Sequence, residues 1–157
     1  METSGTLDEL NACYALFLQE LDEPRSNSLR TLLKEGRLSK IPVAIEVAGQ
    51  SLGEGYPVEI DDTCSTFELT WESYVCYQVT NESFARGESA GEERVGTKAR
   101  LHEKSGLLEY VLNSTNASHE YPGKLLHFEI VCADHVIDVI STTFPNCRRT
   151  SPKLRVN

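Results

Sequence analysis

The stretch from Leu125 to Ser141 constrains the fold more than any other, because its apolar pattern fixes a strand pairing residue by residue. The run Leu125-Leu126-His127-Phe128-Glu129-Ile130-Val131-Cys132 is followed, across Ala133-Asp134, by His135-Val136-Ile137-Asp138-Val139-Ile140-Ser141. Both runs are rich in β-branched and aromatic side chains, and turn residues separate them, which is the pattern of a hairpin. Closing the turn on Cys132 and His135 sets Ile130 against Ile137 and Phe128 against Val139 on one face, and Glu129 against Asp138 on the other. A three-residue loop would oppose Ile130 to Asp138 and Phe128 to Ile140, mixing polar with apolar partners. The two-residue closure is therefore expected, although Ala133-Asp134 lacks the Gly or Asn that such turns favour. Phe128, Ile130, Ile137 and Val139 become core residues, and two carboxylates stand opposite each other.

A second stretch, Thr66 to Thr80, alternates over fifteen residues: Phe67, Leu69, Trp71, Ser73, Val75, Tyr77 and Val79 share one parity and Glu68, Thr70, Glu72, Tyr74, Cys76 and Gln78 the other. At ~3.3 Å per residue it would span about 50 Å, too long for one straight strand in a domain of this size. A bend or bulge is expected near Glu72-Ser73. Further strands are expected at Val43–Val47, Tyr56–Ile60 and Thr97–Glu103. Asn81 to Glu93, with Glu82, Glu88, Glu92, Glu93, Gly87 and Gly91, reads as a solvated loop.

The N-terminal third reads as helical. Thr6-Leu7-Asp8-Glu9 has the form of a capping box, and Leu10, Tyr14, Phe17 and Leu21 follow at spacings of four, three and four, until Pro24 ends the run. A second helix is expected from Ser28 to Glu35, with Leu29, Leu32 and Leu33 inward and Gly36 as its stop. Ser105 is expected to cap a short helix over Gly106–Asn113 whose inward face is Leu107, Leu108, Val111 and Leu112. The fold expected is α+β: two N-terminal helices packed on a largely antiparallel sheet of five or six strands, with one short inserted helix and a C-terminal hairpin. At 157 residues the chain suits one domain, taken as residues 1–147, followed by a basic tail over 148–157.

Charge bounds the partners. The net charge is −9, and residues 1–147 hold all 24 acidic but only 11 of the 15 basic side chains, a net −13. Such a body repels nucleic acid backbones and anionic membranes and favours a basic protein surface. Met1-Glu2-Thr3-Ser4-Gly5 is no basic leader before an apolar stretch, so a cytoplasmic address is expected. Five cysteines at wide spacing, with no C-x-x-C pair, read as reduced thiols, several of them buried.

Two groupings could carry chemistry. His127, Glu129 and Asp138 share a face of the hairpin and could hold a divalent metal or share a proton, because opposed carboxylates raise one another's pKa unless a cation intervenes. Cys132 and His135 flank the turn, where an imidazole can favour a thiolate. His102 and His119 read as surface side chains. The glycines after Val43–Val47 lack the Lys-Ser/Thr of a phosphate loop, and no G-x-S-x-G, H-E-x-x-H or Rossmann pattern occurs. No cofactor is called for.

Phe67 through Tyr77, Asn81-Glu82-Ser83 and the His127–Ser141 hairpin resemble small uncharacterised bacterial domains, some of the kind that accompany secreted toxins as immunity proteins. The resemblance covers about the C-terminal half and carries over no active residue. It implies an inhibitor-like binding role. The leading expectation is accordingly a non-catalytic acidic protein-binding module meeting a basic partner through Glu72, Tyr74, Glu88, Glu92 and Glu93. The alternative is a small metal-dependent or acid–base enzyme centred on His127, Glu129 and Asp138.

Overall fold

The structure, a computed structural model, describes residues 3–87 and 91–150. The chain forms helix α1 (Thr3–Ala12), then strands β1 (Ala15–Asp22), β2 (Leu29–Leu38), β3 (Val43–Val47), β4 (Gln50–Gly55), β5 (Val58–Glu59), β6 (Thr66–Trp71), β7 (Cys76–Asn81), β8 (Glu93–Val95) and β9 (Ala99–Lys104). Helix α2 (Gly106–Ser114) precedes β10 (Leu126–Val131), β11 (His135–Ser141) and β12 (Asn146–Thr150). One sheet runs β1-β2-β6-β12, with β5 against the end of β2; a second runs β7-β11-β10-β9-β8; β3 and β4 pair as a separate hairpin. Leu16, Leu29, Leu33, Phe67, Leu69 and Trp71 of the first sheet share one core with Phe128, Ile130, Ile137 and Val139 of the second. The rings of Trp71 and Phe128 meet across it at 5.9 Å.

This mostly β architecture of three sheets, two of them sharing the core, replaces the expected pair of N-terminal helices on a single sheet. Helix α1 already includes Thr3, so Thr6–Glu9 lies inside it, and the helix ends at Ala12 instead of running on to Pro24. From Ala15 the chain is a strand. The β1–β2 register shifts between Leu18 and Glu20, and this bulge at Gln19 disrupts the two-residue period that would have revealed it. Tyr14, expected inward, is 58% exposed.

The expected helix over Ser28–Glu35 is also a strand, because what is buried alternates: Leu29, Thr31 and Leu33 are fully enclosed. Strand β2 pairs on both sides, with Leu29 opposite Trp71 and Leu33 opposite Phe67. On the other face Arg30 reaches Glu20 at 2.6 Å and Asp22 at 2.9 Å. Central pairing and burial outweigh a helix preference of a few tenths of a kcal/mol per residue.

The long alternating stretch does break where its length requires. β6 ends at Trp71 and β7 starts at Cys76, and the chain passes from one sheet to the other in between. The hairpin also follows its pattern, with Phe128 opposite Val139, Glu129 opposite Asp138 and Ile130 opposite Ile137. The Ser105-capped helix forms as expected, its hydroxyl accepting from the Leu108 N–H. Residues 148–150, assigned to a tail, instead complete β12, where Arg149 lies opposite Phe67. Residues 151–157 lie outside the described part.

Candidate functional site

Alternation along the second sheet sends Phe128, Ile130, Ile137 and Val139 into the core and His127, Glu129 and Asp138 to the opposite face. Pairing then decides their neighbours. β9 lies antiparallel to β10 with His102 opposite His127 and Arg100 opposite Glu129, while β7 sets Gln78 opposite Asp138. Four strands thus contribute polar side chains to one patch of sheet. The patch is the floor of a cavity of about 320 Å³, whose walls include Phe84, Arg86, Glu92, Arg94 and Leu107.

The floor is organised as two imidazole–carboxylate pairs. His127 Nε2 lies 2.8 Å from Asp138 Oδ1, and its Nδ1 lies 2.8 Å from the Ser105 hydroxyl. The Ser105 oxygen also accepts the Leu108 N–H at 3.1 Å, so one hydroxyl ties the start of α2 to the imidazole. His127 is thus held at both ring nitrogens, by a hydroxyl on one side and a carboxylate on the other. The second oxygen of Asp138 accepts from the Gln78 amide at 3.0 Å. His102 Nε2 sits 2.8 Å from Glu129 Oε2, which also accepts from Arg100 at 3.1 Å. The two imidazole rings stack, with centroids 4.4 Å apart and planes inclined by 15°.

Burial alone would raise the Glu129 carboxyl, but the His102 and Arg100 hydrogen bonds, with their charges, outweigh it and hold it down at about 2. Glu129 is therefore a carboxylate at any physiological pH. His102 is 5% exposed and His127 4%, so both rings are enclosed. One polar atom of the floor is left over: His102 Nδ1 is buried without a partner among the described residues.

The order hydroxyl, imidazole, carboxylate in Ser105, His127 and Asp138 is that of hydrolytic triads, but Ser105 is only 3% exposed and its oxygen is committed to capping α2. It anchors the imidazole rather than serving as a nucleophile. Cys132 is likewise disqualified as a thiolate, because burial, with the Asp134 charge, pushes its thiol up to about 12. All five cysteines are free thiols.

The expected trio is therefore together, but divided: His127 is bound to Asp138 and Glu129 to His102. Among the described residues no group of three His, Cys, Asp or Glu side chains is disposed to hold a metal ion. The expected partner-binding residues do not form one patch. Glu72 is ion-paired with Arg25 in the bend before β7. Tyr74 packs edge-on against Tyr77 at 4.8 Å and donates its hydroxyl proton to Glu23. Glu92 and Glu93 lie at β8, the far edge of the same sheet, four strands and roughly 19 Å from β7. Glu88 lies outside the described residues.

His102, expected at the surface, is the functional residue that sequence reasoning missed, together with Arg100 and Gln78. The signal was present in part: Ala99 and Leu101 are the apolar members of their strand, which places Arg100 and His102 on its other face. What no local pattern supplied was the pairing of β9 with β10. Comparison with protein-family models, with curated proteins and with solved structures finds no match. No helix among the described residues is long and apolar enough to cross a membrane.

Proposed function

We propose that this protein binds a small polar molecule bearing an anionic group in the cavity over its second sheet, and that the stacked imidazole–carboxylate pairs lend the site acid–base chemistry. One observation carries the reading: four ionisable side chains, two histidines and two carboxylates, are gathered on one sheet face and withdrawn from water into the floor of a cavity of about 320 Å³. Withdrawing such groups costs several kcal/mol unless each is paired, and a sheet face with no task would leave them in water.

The surroundings specify the ligand class. Asp138 and Glu129 are already satisfied by His127, Gln78, His102 and Arg100, so they do not call for a cation. Arg86, exposed on the cavity wall, has no ion-pair partner among the described residues and offers a guanidinium to a carboxylate or phosphate. Phe84 beside it is 80% exposed and supplies an apolar surface for the rest of the ligand. His102, with one ring nitrogen unpartnered, is the imidazole with hydrogen-bonding capacity left for a ligand.

A thermal-shift screen of small carboxylates, phosphates, neutral amides and amines tests this. A ligand at 100 times its Kd adds about 2.7 kcal/mol, roughly 5–10 °C for a chain of this length. An anionic compound is expected to give that shift, to lose it in Arg86→Ala, and to move the His102 and His127 ring signals in NMR spectra. Absence of any anionic binder, or binding indifferent to Arg86→Ala, overturns the proposal.

A further inference from the structure

The hairpin of β3 and β4 presents a different problem from the cavity. Every residue of β3 is exposed, and Val43, Ile45, Val47, Leu52, Tyr56 and Val58 place a run of large apolar side chains in water, Leu52 at 66% and Val47 at 56% exposure. Within β3, Val43, Ile45 and Val47 share one face and Ala44 and Glu46 the other. Gly55 and Gly53 stand opposite Val43 and Ile45 and offer no side chain over them, and the partner of Val47 is the polar Gln50. A sheet face of this kind is ordinarily turned to a core, and a two-stranded hairpin by itself is marginal in water.

The hairpin is nonetheless held ready. Its tip is Ala48-Gly49, both with positive φ, 51° and 78°, the conformation that a two-residue turn needs to match strand twist. Ala48 pays about 1 kcal/mol for this geometry.

Charge identifies what the arm meets. The arm, residues 43–55, contains Glu46 and Glu54 and no Lys or Arg. Two copies meeting through this arm would set acid against acid on chains that each carry −9, and anionic membranes and nucleic acids are repelled for the same reason. We infer that the β3–β4 hairpin is a docking arm for a basic protein segment that adds to it as a strand, its apolar side chains on the Val43, Ile45 and Val47 face and its Lys or Arg side chains beside Glu46 and Glu54. Added strands gain affinity from main-chain hydrogen bonds and specificity from alternate side chains. This is independent of the cavity, which lies on the other sheet.

The test uses the full chain and three labelled ten-residue peptides, alternating Val/Lys, Ser/Lys and Val/Glu, followed by fluorescence anisotropy. The Val/Lys peptide is expected to bind, to weaken as salt rises, and to lose at least about tenfold in affinity in Ile45→Ser/Val47→Ser and in Glu46→Lys/Glu54→Lys. These positions are exposed, and an unchanged melting temperature in each variant confirms that the body is intact. Equal binding of Ser/Lys and Val/Lys, full binding by the Ile45→Ser/Val47→Ser variant, or no binding at all overturns the inference. So does a dimer in sedimentation that the Ile45→Ser/Val47→Ser change dissolves, which would make a second copy the occupant.

Discussion

Replacing Glu129 by Gln tests whether the floor of the cavity is electrostatically coupled. The Glu129 carboxyl lies at about 2 against an ordinary 4.5. Its side chain is 17% exposed, so solvent screening removes little of the coupling. Holding the carboxyl that far down corresponds to roughly 3 kcal/mol favouring the ionised form in the folded state. Because the folded value is depressed, this stability is fully present above about 4.5 and is lost as pH falls from there toward 2. Gln keeps the shape but carries no charge, and leaves His102 and Arg100 facing a neutral amide. At pH 7 the variant is expected to be about 2–3 kcal/mol less stable, and the gap should close progressively below pH 4.5. Urea unfolding read by Trp71, the single tryptophan and fully buried in the core, gives the stabilities at each pH. The other carboxylates titrate in both proteins and largely cancel in the difference. A gap below about 0.5 kcal/mol at pH 7, or one that stays constant down to pH 3, would refute the coupling.

Two further perturbations probe the frame that positions the cavity. Asn11, near the end of α1, accepts three backbone N–H groups, those of Thr97 and Lys98 at 2.8 Å and Ala99 at 2.9 Å. Asn11→Ala is expected to cost about 2–3 kcal/mol in denaturant unfolding, and Asn11→Asp, which keeps an acceptor oxygen, less than half of that. Gly96, between β8 and β9, has φ of +96°, and an added Cβ would stand 2.1 Å from the Ala99 carbonyl oxygen. Gly96→Ala should lower stability by about 2 kcal/mol or more, because strain and clash act together. Gly87→Ala, where a Cβ meets nothing within 4 Å, serves as the neutral control in the same melting experiment.

The C-terminal hairpin shows how far local pattern reaches. Its register is readable because a one-residue slip would turn Ile130, Ile137, Phe128 and Val139 toward the wrong face, an error worth several kcal/mol that the sequence forbids by alternation alone. The break after Trp71 is readable because length is a physical limit. The Ser105 cap is readable because a hydroxyl before an apolar run satisfies orphan helix amides.

The N-terminal third behaves differently. Leu16, Leu18 and Leu21 follow no strict period because a bulge intervenes at Gln19, and Leu29, Leu32 and Leu33 fit a helix as well as Leu29, Thr31 and Leu33 fit a strand. Only the presence of β6 on one side of β2 and β1 on the other decides between them.

The cavity divides along the same line. Amino-acid order by itself put His127, Glu129 and Asp138 on one face and made Glu129 and Asp138 neighbours, since a strand's side chains alternate and the turn sets which residues meet. Tertiary structure brought His102 and Arg100 from β9 and Gln78 from β7, and these partners turned two opposed carboxylates into two separate imidazole-bound pairs. Such pairings join residues up to 60 positions apart, as in Gln78 and Asp138. Their energy comes from contacts that exist only once the strands are laid side by side.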